Sequence, residues 1–212
     1  MNYKYLITIL VCYIGDLLIY KFLNHVIFKT QQSHKTLENI YWFFGNLLSY
    51  ITLALLYYNN IGYVYYKLNT YSLSYTIITI PTIIILIDLI FYLMHIFSHI
   101  PIIYKNFHYL HHSIRPLNSW VSRTSHIIDS NLENIAFTLP FILIPTYFPI
   151  MCIILLFTFY WGSLIHSGKK VNIKFINSGK EHGIHHIFGK KNYNFGYFTT
   201  IWDTIFGTLT YK

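Results

Sequence analysis

The sequence predicts an all-α fold: an integral membrane helical bundle of about four transmembrane segments, the last a proline-broken hairpin, with a cytoplasmic helical cap. Three observations predict it. The chain of 212 residues is 54% hydrophobic and only 10% charged, with mean hydropathy +0.43. An ordinary soluble domain carries roughly 25% charged residues, so this chain has too few charges to cover a surface in water, and lipid must cover part of it. Long apolar segments recur along the chain, each near the ~20 residues that cross a bilayer core as a helix. Finally, ten of the twelve histidines fall between His95 and His186, most of them in two polar regions beside those segments.

The first apolar segment is Tyr5–Leu23. It is long, is interrupted by Asp16 and is followed by no small-residue cleavage site, so it reads as a membrane segment rather than a cleaved signal. Ile40–Tyr58 is the second segment and Tyr75–Phe97 the third. The fourth region, Ile135–Ile165, exceeds one span and contains Pro140, Pro145 and Pro149. Proline lacks an amide hydrogen and clashes with the preceding turn. The region therefore reads as a hairpin, roughly Ile135–Thr146 and Pro149–Ile165, with a first arm short for a full span. A hairpin returns the chain to the side it left, so the polar regions Ser98–Glu133 and Ser167–Lys212 share one membrane face.

Charge orients the bundle. The formal net charge is +8 and the pI about 9.3. In so apolar a chain this points to an anionic membrane face rather than to nucleic acid. Cytoplasmic loops are enriched in Lys and Arg. With the N-terminus outside, 13 of the 15 basic residues fall on the cytoplasmic side, leaving Lys4 and Lys67 outside. The histidine face is therefore expected in the cytoplasm.

The chemistry is expected from histidine. Cys12 and Cys152 sit in apolar stretches and form no zinc-type pair. His95 and His99 are four apart, so one helix face carries both. His108, His111 and His112 form His-x-x-His-His, and His182, His185 and His186 repeat it. His126 and His166 stand singly. Neutral imidazole binds Zn, Cu, Fe and Ni. One ion rarely takes more than about six ligands, so this many rings favour two ions over one. Asp88, Tyr92, His95 and His99 run along one helical stripe. A carboxylate inside an apolar segment tends to mark function. Asp88 either orients a histidine by accepting its second ring N–H or pairs within the bundle. The general-base glutamate of a His-Glu-x-x-His protease is absent. So is the His-x-Glu with Cys-x-x-Cys of a zinc deaminase.

These residues resemble the fatty acid hydroxylase and sterol desaturase superfamily of integral membrane proteins. The matching stretches are Asp88–His95, His95-x3-His99, His108-x2-His111-His112, Arg123-Thr-Ser-His126-Ile-Ile-Asp129, His166-Ser-Gly168 and His182-x2-His185-His186. Asn192-Tyr193 and Trp202-Asp203 through Gly207-Thr208 close the set. The match covers about residues 80–210. It divides the chain into N-terminal membrane helices, 1–74, and a catalytic domain, 75–212, whose histidine-rich regions are 98–134 and 167–212.

The resemblance implies a di-iron centre ligated by His95, His99, His108, His111, His112, His126, His166, His182, His185 and His186, with Asp88 and Asp129 as the carboxylates of the catalytic site. It implies O2 as co-substrate and electrons from an external donor, commonly cytochrome b5 with its NADH reductase. The expected substrate is a sterol or fatty acyl lipid drawn from the bilayer, and the expected reaction is hydroxylation, desaturation or methyl oxidation. A eukaryotic member would lie in the endoplasmic reticulum membrane. His166-Ser-Gly168 and Glu181-His182 look most like the C4-methylsterol oxidase and cholesterol hydroxylase branch. Glu often stands at the position of Asp129 in the family, and Gly at that of Asn194. The alternative reading is a metal-binding membrane protein of the same fold without redox catalysis.

Overall fold

A computed structural model describes residues 21–29, 64–188 and 193–211, with positions 14, 18, 47 and 51. The expected spans Tyr5–Leu23 and Ile40–Tyr58 lie almost wholly outside the described residues. Among the described residues the structure is mostly helical, and two helices are long and apolar enough to cross a membrane, Leu73–Ser98 and Phe148–His166.

Helix α1, Leu73–Ser98, has 26 residues, or roughly 39 Å at ~1.5 Å per residue. Ser72 starts it by accepting the N–H of Tyr75 at 3.2 Å. Pro81 sits inside it and removes one amide hydrogen. The hydroxyls of Thr79 and Thr82 donate to the carbonyls of Tyr75 and Ile78 at 2.8 Å. Such hydroxyls help apolar helices tolerate proline. Ile78 is 65% exposed and Ile85 56% exposed, on the face left for lipid.

The next helical run, α2, consists of Pro101–Ile103, a wider π-helical turn Tyr104–His108, and Tyr109–Ser113. A 3-10 turn follows at Ser119–Arg123, capped by Asn118. Helix α3 spans Ile127–Leu143 and helix α4 spans Phe148–His166. The two form the expected hairpin, but α3 begins at Ile127 rather than near Ile135. Its first two turns carry Asp129, Ser130, Asn131, Glu133 and Asn134, so apolar content alone hides them. Pro149 lies in the first turn of α4, where a missing N–H costs nothing. Two short helices close the chain, α5 at Gly179–Ile187 and α6 at Ile201–Ile205. A capping box between Ser178 and Glu181 starts α5.

Helix α1 packs chiefly on α3, while α4 packs on the 3-10 turn and on α5. The shared core is Ile83, Ile87, Phe91, Phe137, Phe141 and Ile154 with Tyr197 and Phe198. The hairpin tip lies beside the start of α1. There Tyr75 Oη donates to the carbonyl of Pro145 at 2.9 Å. Strand β1, Val64–Tyr65, pairs in parallel with β2, Thr146–Tyr147. The end of α1, the start of α3 and the end of α4 therefore converge at the opposite end of the bundle, where the histidines are.

Candidate metal centre

The i,i+4 and His-x-x-His-His spacings bring eight rings together, and His166 at the end of α4 joins them as the ninth of one buried cluster. Its members form two sets. His95, His99, His108, His112 and His185 make the first, and His111, His166, His182 and His186 the second. Within each set the candidate ligand nitrogens lie within 4.8 Å of one another, and every ring is buried. The sets touch, since the rings of His112 and His186 stack with centroids 4.5 Å apart.

For five of the nine rings a neighbour fixes which nitrogen faces the cluster. His108 Nδ1 donates to both oxygens of Asp129, at 3.0 and 2.9 Å. His95 Nδ1 donates to the carbonyl of Phe195 at 2.9 Å, and His185 Nδ1 to that of Tyr193 at 2.7 Å. His111 Nδ1 donates to Thr124 O at 3.3 Å and His166 Nδ1 to Gly162 O at 2.7 Å. A ring whose Nδ1 carries the hydrogen presents a bare lone pair at Nε2.

Those lone pairs point at one another. His111 and His166 Nε2 lie 3.2 Å apart, and His166 and His182 Nε2 lie 3.0 Å apart. His182 to His186 is 3.1 Å, as are His108 to His112 and His112 to His185. His111 and His166 each commit Nδ1–H to a carbonyl, so no hydrogen is left to join their Nε2 atoms. Protonating a ring would supply one, but burial opposes it. Burial, with help from His108, lowers His111 to about 4, and burial lowers His185 to about 3. Burial likewise holds His112, His182 and His186 well below the ordinary imidazole range. A cation between the rings resolves the conflict. Two nitrogens each ~2.1 Å from one ion and roughly 90–105° apart are separated by about 3.0–3.3 Å, which matches these distances. His95 Nε2, buried with no hydrogen-bond partner, adds a further bare acceptor to the first set.

Of the expected site residues, His126 stands apart. It caps α3, its Nδ1 accepting the N–H of Ile128 at 3.2 Å, and its ring lies against Phe107. Asp88 touches no ring nitrogen. Its carboxylate accepts from the N–H groups of Phe198 and Thr199 at 2.7 and 3.3 Å, and from the Thr199 hydroxyl at 2.5 Å. Asp203 likewise accepts from the N–H groups of Phe195 and Gly196, at 2.8 and 2.9 Å. Two carboxylates thus pin the strip 193–199, whose carbonyls orient His95 and His185. Asn194 has φ of 56°, the left-handed region in which glycine is easiest and asparagine next. Sequence reasoning did not single out Glu133, one turn after Asp129 on α3, though the i,i+4 spacing places both acids on one helix face.

The family model for fatty acid hydroxylase matches residues 80–208, more than half of the chain. The chain belongs to the fatty acid hydroxylase family. Curated relatives with the same stretch include a Delta(7)-sterol 5(6)-desaturase of Schizosaccharomyces pombe, 31% identical over 169 residues, covering 77% of this chain and 51% of the relative. Another, from Eremothecium gossypii, is 37% identical over 122 residues, 55% of this chain and 33% of the relative. A third, from Candida albicans, is 31% identical over 154 residues, 69% of this chain and 38% of the relative. The chain thus spans between a third and a half of the length of these fatty acid hydroxylase relatives. No solved structure matches it. These relatives are 5(6)-desaturases, whereas His166-Ser-Gly168 had pointed toward the C4-methylsterol oxidase branch.

Proposed function

We propose that this chain carries the catalytic centre of a membrane-bound, di-iron, O2-dependent lipid oxidoreductase, acting as a sterol desaturase. The observation that supports it most is the pair of buried imidazole sets whose lone pairs converge at 3.0–3.3 Å. In this reading His95, His99, His108, His112 and His185 hold one iron, and His111, His166, His182 and His186 the other. The relatives' names supply the substrate class. Their chemistry, removal of two hydrogens from adjacent saturated carbons, is an oxidation that side-chain acid–base catalysis cannot perform, and it needs a redox group.

When bound, two irons supply the electrons and Lewis acidity with which O2 is activated. The protein does the rest. Carbonyls and Asp129 lock the tautomer and orientation of His95, His108, His111, His166 and His185, which raises their basicity as ligands. Burial of all nine rings keeps bulk water from the centre. Phe195, 1% exposed, packs edge-on against His95, His99 and His185 and seals that side. Asp88 and Asp203 hold the strip that positions those carbonyls. The lipid-facing helices α1 and α4 place the cluster at one end of the bundle, where a bilayer lipid and an external donor both reach it.

The finer topology belongs to the same proposal. About four spans, a division at residue 74, multi-pass insertion with the histidine face in the cytoplasm, and an endoplasmic reticulum site with cytochrome b5 or a similar donor follow from the basic residues and the family.

Metal analysis of the detergent-purified protein, with lipid oxidation assayed alongside, tests the reading. About two irons per chain and loss of oxidation in His111→Ala and His185→Ala are expected. Zinc in place of iron, with no oxidation, would establish the alternative of a metal-binding relative without redox chemistry.

A further inference from the structure

The loop that leaves α4 encloses a cavity of about 170 Å³, lined by none of the nine rings. Lys170, Lys174 and Lys180 line it, with Glu181 as its one acidic member. Three ammonium groups against one carboxylate leave the walls positive. Glu181 is already engaged, since its Oε2 accepts from the N–H of Ser178 at 3.2 Å and from the Ser178 hydroxyl at 2.5 Å. Thr200 lines the same cavity. It is 2% exposed, and its Oγ1 has no hydrogen-bond partner. The threonines near it behave differently: the Thr199 hydroxyl donates to Asp88 and the Thr204 hydroxyl to the carbonyl of Thr200. A buried hydroxyl without a partner is costly and uncommon. The backbone ties it to the loop of lysines, because Thr200 N–H donates to the carbonyl of Phe175 at 2.9 Å and Ile176 bridges Thr199.

Three ammonium donors and one hydroxyl donor call for an anion rich in acceptor oxygens. A phosphate group is such an anion, and lysine binds it as a point charge through strong, charge-assisted hydrogen bonds. The first amides of α5 are not free to help. Gly179 N–H donates to the carbonyl of Lys169 at 2.9 Å, and Lys180 N–H to Ser178 Oγ at 3.3 Å. The lysines and Thr200 must therefore carry the ligand. The cavity has room for roughly ten waters, enough for a phosphoryl group and too little for acyl chains as well. Its rim suits those chains, because Ile173, Phe175 and Tyr211 line it and stay exposed, Ile173 by 63%. The loop starts where α4 ends, and α4 is long and apolar enough to cross a membrane. The cavity thus lies at headgroup level on a face whose lysines suit an anionic leaflet.

We propose that this cavity binds the phosphate of an anionic phospholipid, with Lys170, Lys174 and Lys180 around the phosphate oxygens and Thr200 Oγ1 donating to one of them. The lipid held here is not the one oxidised, since no ring of the metal centre reaches the cavity. The site needs neither iron nor turnover. It goes beyond the proposed oxidoreductase reading and rests only on α4 standing in a membrane.

The test uses the full chain in a neutral detergent, with native mass spectrometry for bound lipid and thermal melts for its effect. The probes are phosphatidic acid, phosphatidylcholine, inorganic phosphate and polyglutamate. The wild type should retain phosphatidic acid in preference to phosphatidylcholine and melt higher with it. Thr200→Val should keep the ligand-free melting temperature, because Oγ1 bonds to nothing, yet bind phosphatidic acid about tenfold more weakly. The double variant Lys174→Gln, Lys180→Gln changes two exposed side chains and should lose the preference. Lys105→Gln, exposed on α2 and outside the cavity, should keep it. Unchanged affinity in Thr200→Val, with Lys105→Gln as weak as the double variant, overturns the site in favour of general attraction to a basic face. Equal retention of phosphatidylcholine overturns the need for an anionic lipid. An equal melting shift from inorganic phosphate at the same concentration overturns the lipid as the source of the phosphate. A shift with polyglutamate and none with phosphatidic acid overturns the proposal by giving the face to an acidic protein. None of these outcomes bears on iron content or lipid oxidation, so the function stands or falls separately.

Discussion

Asp88, in the middle of α1, accepts a hydrogen bond at 2.7 Å from the backbone N–H of Phe198, 110 residues further along the chain. With Thr199 it takes two more. The strip it holds gives its carbonyls to His95 and His185, so Asp88 positions ligands without touching them. Asp88→Ala leaves buried N–H groups unpaired, at ~1–3 kcal/mol for each. It should lower the unfolding temperature in detergent and reduce bound iron. Asp88→Asn, which keeps an acceptor oxygen, should lose less of both. Metal content together with a thermal melt checks this, and iron retained in full by Asp88→Ala would refute it.

His126 and His111 make a contrasting pair. His111 faces His166 across 3.2 Å, whereas His126 caps α3 and packs against Phe107. His111→Ala should cut iron from about two to about one per chain, because the second set would keep three rings. His185→Ala leaves four rings in the first set and should weaken that iron's binding rather than abolish it. His126→Ala should retain both irons and lose only cap stability, about 1 kcal/mol. Metal stoichiometry of the three variants separates the outcomes. Loss of iron in His126→Ala would mean that its ring moves into the cluster.

The sequence showed the rings but not what holds them. The i,i+4 and His-x-x-His-His spacings pick out eight of the nine rings that the structure brings together, because helical periodicity fixes which side chains share a face, while His166 stands singly in the sequence. They could not divide the rings into sets, since His111 and His112 are adjacent yet belong to different ones. The acceptors for Nδ1 are mostly backbone carbonyls, at Gly162, Thr124, Tyr193 and Phe195, and a carbonyl has no residue type to read. His126 was misleading because a cap and a ligand look alike in sequence. The hairpin was legible from its prolines, while the polar opening turns of α3 were not, because their side chains face the site rather than lipid.

Asp129 is the only side-chain carboxylate bonded to a cluster ring among the described residues, through His108 Nδ1. Removing such a partner typically costs 10–100-fold in metal affinity. Asp129→Asn should therefore weaken iron binding by about that factor while leaving the helices intact. Competition with a chelator of known affinity measures it. An unchanged iron affinity would show that ring packing alone orients His108.

Gly196 lies where the strip 193–199 turns against Asp203. A Cβ there would overlap the carbonyl of Thr199 and press on Asp203 Oδ2 at 2.9 Å. Both neighbours are held, the latter by two backbone N–H groups, so neither can yield cheaply. Gly196→Ala should destabilise the strip by ~1–3 kcal/mol and lower bound iron through the carbonyls that orient His95 and His185. By contrast, Gly183→Ala meets nothing within 4 Å and should keep iron and stability, so the pair of variants in one melt and one metal assay isolates the strip.

Removing the metal exposes the conflict between lone pairs, and pH shows its sign. At neutral pH the metal-free rings of His111 and His185 are uncharged, since burial holds both below the ordinary imidazole range. In the unfolded chain each histidine takes a proton near 6.5, whereas folded His111 refuses one until about 4 and His185 until about 3. Between those values the unfolded state binds more protons, so acid favours it. Stability of the metal-free protein is therefore full above about 6.5 and falls as pH drops toward 4. His111 alone contributes about 3 kcal/mol over its window, at ~1.4 kcal/mol per pH unit. Chelation should lower the melting temperature at pH 7.5, and a further fall is expected at pH 5. Intrinsic fluorescence melts at the two pH values, with and without chelator, measure both. An apo melting temperature that does not change between them would mean that water reaches the rings and that the cluster is not the dry cavity this geometry requires.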